Sequence, residues 1–195
     1  MGKTDEVSQQ DRGPDLRDLS RAVSHALRHE PWLYGLELDA EGWACVDELV
    51  AALRRNKPEW VTLSVDDLTR MIATSDKQRH EIRGGKIRAL YGHSIPGKLR
   101  RTPMVPPEVF YHGTSPLFVP AIRTSGLLPM ARQYVHLSVD VDTALAVGKR
   151  KSKTPIILRV QAKQAYEKGV QFYIGNEKVW LVDRVPSDFI VFPGE

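Results

Sequence analysis

A chain of 195 residues with 42% apolar and 27% charged side chains can hold one large or two small domains around a real core, which excludes a disordered or fibrous protein. Its net charge of +4 is too small to imply an anionic partner unless the charge is concentrated. The chain has neither an apolar run of signal-peptide type nor one of membrane-span length, so a cytoplasmic protein with no membrane association is expected. Cys45 is the single cysteine; this excludes an internal disulfide and a cysteine-based metal site, and between Ala44 and Val46 it reads as a small buried apolar side chain.

Residues 1–17 are charged and polar and are expected to form a flexible N-terminus. Leu19, Ala22, Val23, Ala26 and Leu27 then recur at helical spacing, with Asp15 or Asp18 available as a cap and Pro31 closing the run. A second helix is expected behind Asp47 as its cap, through Leu49, Val50 and Leu53. A third follows Ser64-Val65-Asp66-Asp67, which resembles a capping box with Leu63 and Leu68 as its hydrophobic staple. Two short β-prone runs, His80-Glu81-Ile82 and Ile87-Arg88-Ala89-Leu90, flank Arg83-Gly84-Gly85-Lys86 and predict a hairpin. Three helices followed by a basic hairpin give a winged-helix lobe over 18–95.

From Asp76 to Arg101 eight cationic residues oppose only Asp76 and Glu81. Such a block either covers a solvated face or marks an anionic partner, with nucleic acid the obvious candidate. Pro96, Pro103, Pro106 and Pro107 cannot all lie in regular structure, so residues 96–108 are expected to form a linker. Beyond it, Val109–Tyr111, Tyr134–Leu137, Ile156–Val160, Val179–Val182 and Phe189–Phe192 read as strands, with helices near Leu117–Ser125 and Asp142–Lys149. The pattern over 109–195 is a mixed α+β lobe without the glycine-rich phosphate loops of parallel-sheet nucleotide folds.

His112-Gly113-Thr114 and His136-Leu137-Ser138 suggest a nucleotide cradle, and Arg28-His29 suggests phosphate chemistry. Each has an ordinary alternative. Arg28-His29 also suits the negative end of a helix, and His112 and His136 also fit strand histidines satisfied by backbone carbonyls. His25 reads as a surface residue.

Taken together, Leu19-Ser20-Arg21, Ala26-Leu27-Arg28-His29, Gly42-Trp43, Val46-Asp47, Lys77-Gln78-Arg79, Ile87-Arg88-Ala89, Gly92-His93-Ser94, Tyr111-His112-Gly113-Thr114 and Val135-His136-Leu137-Ser138 resemble the tRNA 2'-phosphotransferase family. The resemblance covers most of the chain after about Leu16. It implies an N-terminal winged-helix RNA lobe and a C-terminal ADP-ribosyltransferase-like lobe that binds NAD+ as co-substrate, with no metal. The implied reaction moves an internal RNA 2'-phosphate to NAD+. It leaves 2'-hydroxyl RNA, ADP-ribose 1'',2''-cyclic phosphate and nicotinamide, and passes through a 2'-phospho-ADP-ribosylated RNA.

The resemblance carries catalytic roles to Arg28, His29, Arg79 and Arg132, and NAD+ contacts to His112, Gly113, Thr114, His136 and Ser138. RNA contacts fall to Lys77, Arg83, Lys86, Arg88 and His93, with bracing of the hairpin the alternative for His93. The chemistry fits these residue types. A phosphate monoester is already an anionic nucleophile, so it needs guanidinium groups to hold it rather than a base, and a histidine suits the proton transfer of the second step. Gly113 would let backbone approach the nicotinamide end of the dinucleotide.

Two positions depart from the family's pattern: His80 stands where phenylalanine is usual and Tyr91 where glutamine is usual. At the third signature position of ADP-ribosyltransferases, a glutamate in many protein-modifying members, the chain is read as apolar, at Val179. Altered packing is expected from His80 and Tyr91. Two other readings are an enzyme that ADP-ribosylates phosphorylated nucleic-acid ends and a winged-helix regulator that senses NAD+. A monomer is expected, since no long apolar surface helix calls for a partner. Spliced tRNA junctions are the family's best-known substrates, and RNA repair is a related setting.

Overall fold

Asp15 opens the first helix of the computed structural model, which describes residues 13–194. Its carboxylate accepts the Arg17 and Asp18 N–H groups at 2.8 and 3.1 Å, satisfying donors that a helix start leaves unpaired. Helix α1 therefore runs from Leu16 to Arg28. The flexible stretch expected over 1–17 lies mostly outside the described residues; Leu16 and Arg17 are already helical.

The chain separates into two units, 1–88 and 89–195. In the first, α1 buries Leu19, Val23, Ala26 and Leu27 against α2 (Val46–Asn56) and α3 (Val65–Ala73). Ser64 and Asp67 form the expected reciprocal box at the start of α3, with Leu63 and Leu68 both buried. The cap of α2 differs from expectation. Cys45, half-buried, is the capping residue, and the Val46 N–H donates to the Gly85 carbonyl at 3.0 Å. Asp47 instead sits in the first turn, where its charge faces the positive helix end.

A three-stranded antiparallel sheet closes this unit in the order β1-β3-β2, with β1 at Trp43–Cys45, β2 at His80–Arg83 and β3 at Lys86–Ala89. Gly84 and Gly85 have φ of +55° and +73°, the left-handed pair that a two-residue hairpin turn demands. The strand β1 carried no signal of its own: three residues ahead of a helix are too few to show alternation.

The division of the chain falls before the proline-rich strap, not within it. The strap belongs to the second unit because its backbone is satisfied there. Leu99 N–H donates to Gln133 Oε1 at 3.1 Å, Tyr134 Oη donates to the Leu99 carbonyl at 2.8 Å, and Met104 N–H donates to the Phe172 carbonyl at 2.8 Å.

The second unit is a six-stranded sheet ordered β7-β8-β5-β4-β6-β9 with every pairing antiparallel. Its strands are β4 (Phe110–Thr114), β5 (Val135–Ser138), β6 (Ile156–Val160), β7 (Phe172–Ile174), β8 (Val179–Val182) and β9 (Ile190–Val191). Helices α4 (Val119–Ser125), α5 (Val141–Gly148) and α6 (Ala162–Glu167) accompany it. Phe110, Leu137, Leu158, Phe172 and Val182 share a core with Ile122 of α4 and Ala165 of α6. A smaller cluster joins Tyr134, Tyr173 and Leu181, with Tyr91 packed against it. Strand β7 and helix α6 were not anticipated; both are short enough for tertiary packing to outweigh local pattern. Among the described residues no helix is long and apolar enough to cross a membrane.

The register of the sheet breaks at its centre. Strands β4 and β6 share five residue pairs and β5 and β8 share four, but β4 and β5 share only Tyr111 with Ser138. Past that pair the two strands part, and the sheet opens between its two halves.

Candidate functional site

In the first unit the last turn of α1 carries Arg28, half-buried, and His29, exposed at the helix end. Arg28 Nη2 donates to the Arg79 carbonyl at 3.3 Å, so the helix end and the entry to β2 are tied. Ser75 organises the Lys77-Gln78-Arg79 stretch from below. Its hydroxyl donates to the Lys77 carbonyl at 2.8 Å and accepts the Lys77 N–H at 3.4 Å and Arg79 Nη1 at 3.3 Å. His80 follows, 3% exposed, with Nε2 at 3.1 Å from Ser24 Oγ. The ring thus takes an aromatic's place in the interior while its polar tip is satisfied by α1.

Between α1 and residues 74–79 runs a groove of about 840 Å³, lined by Arg17, Arg21, His29, Lys77 and Arg79 among others, with Asp76 the acid beside them. His25 also faces it, but its ring is engaged by Glu30 Oε2 at 3.0 Å and lies 3.3 Å from the Tyr34 hydroxyl.

The cations of the hairpin differ in how far they are engaged. Arg83 and Lys86 are exposed, yet Lys86 Nζ lies 3.2 Å from Asp39. Arg88 is more committed still. It pairs with Glu81 at 2.5 Å and Glu41 at 3.8 Å, and its guanidinium stacks 4.4 Å over the Trp43 ring. Asp39 and Glu41 lie outside the basic run, and the fold brings them back to pair with Lys86 and Arg88.

In the second unit the His112 ring lies in the gap between β4 and β5, where Nδ1–H donates to the His136 carbonyl at 3.0 Å. Burial pushes His112 below the ordinary imidazole range; the bond to His136 opposes this, and the positive charges of Lys151 and Arg132 add to it. The ring is therefore neutral at pH 7, with its Nε2 carrying a lone pair. His136 repeats the pattern, donating from Nδ1 to the Tyr134 carbonyl at 3.1 Å, and the Tyr91 ring meets it edge-on at 5.9 Å. Thr114 and Ser138 are buried hydroxyl residues at the ends of the two strands.

Gly113 has a packing reason in addition to the one its motif suggested. A Cβ there would collide with the Ala144 carbonyl oxygen and stand 3.0 Å from Gly148 N, so the glycine lets α5 press onto β4. Arg132 is exposed in the loop before β5, near Met130 in the left-handed region at φ +57°, a conformation costing an ordinary residue about 1 kcal/mol. His93 is 4% exposed and its carbonyl accepts the Gln133 N–H at 3.1 Å. That burial fits the bracing alternative for His93.

The fold thus gathers His29, Lys77 and Arg79 in the first unit, with Arg28 bonded alongside, and His112, His136 and Ser138 in the second, while Arg88 and His93 are drawn into structural links. Sequence reasoning missed Ser75, Lys151 and Gln133. Only Lys151, within the cationic run Lys149–Lys153, carried a visible signal. It quoted Arg21 only as part of a motif and missed Arg17, four residues before it on α1.

Residues 14–184 match the family model described as RNA 2'-phosphotransferase, Tpt1 / KptA family. A protein of Bacillus thuringiensis subsp. konkukian named as a probable RNA 2'-phosphotransferase is 57% identical over 173 residues, covering 89% of this chain and 93% of the relative. One of Acetivibrio thermocellus with the same name is 53% identical, covering 91% and 97%. One of Pyrococcus horikoshii, again so named, is 40% identical, covering 88% and 96%. With a match that spans both units and relatives this similar over nearly their full length, the chain belongs to the RNA 2'-phosphotransferase family.

Proposed function

We propose that this protein is an NAD+-dependent enzyme that removes an internal 2'-phosphate from RNA by transferring it to NAD+, through a 2'-phospho-ADP-ribosylated RNA. The products are 2'-hydroxyl RNA, ADP-ribose 1'',2''-cyclic phosphate and nicotinamide. We read the first unit, three helices and an antiparallel hairpin, as a winged-helix lobe, and the second as an ADP-ribosyltransferase-like lobe. The observation that carries the reading is the convergence of His29, Lys77 and Arg79 on one groove, with Arg28 bonded to the Arg79 carbonyl, in a chain of this family.

The geometry of His112 supports the dinucleotide: fixed with Nδ1–H toward a carbonyl and held below the ordinary imidazole range by burial, it can accept a hydrogen bond at Nε2 without adding positive charge beside a cationic pyridinium. His112, Thr114, His136 and Ser138 would hold NAD+, which supplies an electrophilic glycosidic carbon and a leaving group. Arg28 and Arg79 hold the RNA 2'-phosphate through paired guanidinium donors, so that an already anionic nucleophile is oriented and not further activated. Arg132 offsets charge that develops on phosphate oxygens, and His29, exposed at the helix end, moves the proton in the second transfer.

The test is incubation with NAD+ and an oligonucleotide carrying one internal 2'-phosphate, with all RNA species resolved. Conversion to the 2'-hydroxyl form together with ADP-ribose cyclic phosphate is expected. Accumulated ADP-ribosylated RNA as the only product, or unchanged RNA, overturns the proposal in favour of end modification or of a regulator.

A further inference from the structure

The groove of the first unit is much larger than a phosphate requires. About 840 Å³ falls within the range of sites that enclose whole organic ligands, and its lining continues past His29 and Arg79 toward the start of α1. From Arg17 to His29 the helix advances about 18 Å at roughly 1.5 Å per residue, a distance that spans more than one nucleotide. Arg17 and Arg21 stand on this wall, exposed, at four-residue spacing.

The charges along the wall are available. Arg17 makes no ion pair among the described residues, and Arg21 pairs with Asp18 at 3.2 Å with the two side chains 81% and 53% exposed. An ion pair so open to water is worth under about 1 kcal/mol and yields readily to a phosphate. Among the described residues the acids near the wall are Asp15, Asp18, Glu30 and Asp76. Glu30 pairs with His25, and Asp15 is occupied as the helix cap, held ionised chiefly by the Asp18 and Arg17 N–H groups and only weakly by the Arg17 and Arg21 charges. The hairpin offers the contrast in Arg88, whose side chain is only 22% exposed and is held by Glu81 and Glu41. Leu16, half-buried, also lines the groove, giving apolar surface against which a base or sugar can pack.

We propose that this groove is the track for the RNA strand that flanks the phosphate-bearing nucleotide, with Arg17 and Arg21 as positioning residues that grip its backbone phosphates. The inference rests on the proposed reaction for the identity of the strand, but its geometry is that of the groove alone. It predicts that recognition extends along the strand and is electrostatic.

Two measurements on the full chain test it, each comparing wild type, the double variant Arg17→Glu with Arg21→Glu, and the conservative double variant Arg17→Lys with Arg21→Lys. The first follows turnover of 2'-phosphorylated oligonucleotides from a dinucleotide to a ten-mer, extended on one side or the other. Wild-type KM should fall with length on one side; the glutamate variant should lose that dependence, at least tenfold on the ten-mer. Its kcat on the dinucleotide should stay within twofold, and the lysine variant should recover most of the length effect. The second reads binding of an unphosphorylated, fluorescent ten-mer RNA against salt, which requires no reaction. The slope of log affinity against log salt should fall by about 0.7 for each backbone phosphate that the glutamate variant no longer grips. Length dependence retained in the glutamate variant, an equal loss on the dinucleotide, or an unchanged salt slope overturns the track. Failure of wild type to act on any 2'-phosphorylated RNA instead overturns the reaction, and the salt slope then decides the groove by itself.

Discussion

The two units hold their candidate groups in opposite ways. His29 is exposed at a helix end, on the edge of an open groove with long arginine and lysine side chains around it. His112 lies in the gap of a splayed sheet with one ring nitrogen fixed on a carbonyl and its charge suppressed by burial. The difference matches what each kind of ligand asks. A flexible polyanion is held by charge, which tolerates mobile side chains and acts over several ångströms. Orienting a neutral polar group needs a single donor-acceptor pattern, and that requires a locked tautomer.

The comparison can be broken first on the charged side, where the largest effect is expected. Arg79 is assigned to gripping the transferred phosphate, and loss of one well-aimed charged donor costs about 3 kcal/mol, or roughly 100-fold. Arg79→Ala should slow turnover by about that factor or more. Transesterification at a crowded phosphodiester depends more on the grip than does attack by a free monoester, so the variant should also accumulate RNA bearing 2'-phospho-ADP-ribose. Arg79→Lys should restore little, because an ammonium cannot offer paired donors. A time course of RNA species on a gel reads this, and lost rate without build-up of the adduct moves Arg79 to the first step or to binding.

On the second side the rigidity of β4 should fail next. Gly113→Ala places a methyl group into the Ala144 carbonyl and against Gly148 N, both backbone, so α5 must move. Overpacking of this kind costs about 3 kcal/mol, which should lower the thermal midpoint by several degrees and weaken NAD+ binding. The same substitution at Gly84, where nothing lies within 4 Å, costs only the backbone strain of a positive φ. Equal losses at both positions would show that close packing on β4 is not what requires Gly113.

The smallest effect concerns pH. The folded-state pKa of His112 is depressed below its ordinary value of 6.5, chiefly by burial, so the unfolded chain takes up a proton that the folded chain resists. Its contribution to stability is complete above about pH 6.5 and is lost as pH falls toward the folded-state value. The His112 imidazole should therefore titrate below 6.5 by NMR. His112→Gln should lose less stability than wild type between pH 6.5 and 5, and His112→Ala should weaken NAD+ binding while RNA binding is kept. A midpoint at or above 6.5 would show that burial does not suppress the charge on His112 and would erase the contrast.

Much of the local structure was legible because it is written in short-range chemistry. Asp15 and Ser64-Asp67 mark helix starts, Gly84-Gly85 marks the hairpin, and β-branched runs mark β5, β6 and β8. The motifs around Arg28-His29, Lys77-Gln78-Arg79 and His112-Gly113-Thr114 were legible as residue types that suit phosphate and nucleotide chemistry. None of these needs knowledge of residues far away in the chain.

What the tertiary structure alone decided is which of those residues stand available and which are spent. Arg88 looked like a cationic contact until Glu41 and Trp43, the latter from a strand the pattern did not show, closed on it. His93, read as an RNA contact or a brace, lies in the interior, Gly113 gained a packing role from α5, and Ser75 became the organiser of the Lys77–Arg79 stretch. The proline strap, read as a linker, is held to the second unit by Gln133 and Tyr134. Most of the deciding partners lie many residues away, and the interactions that set burial, charge pairing and tautomer act through space rather than along the chain.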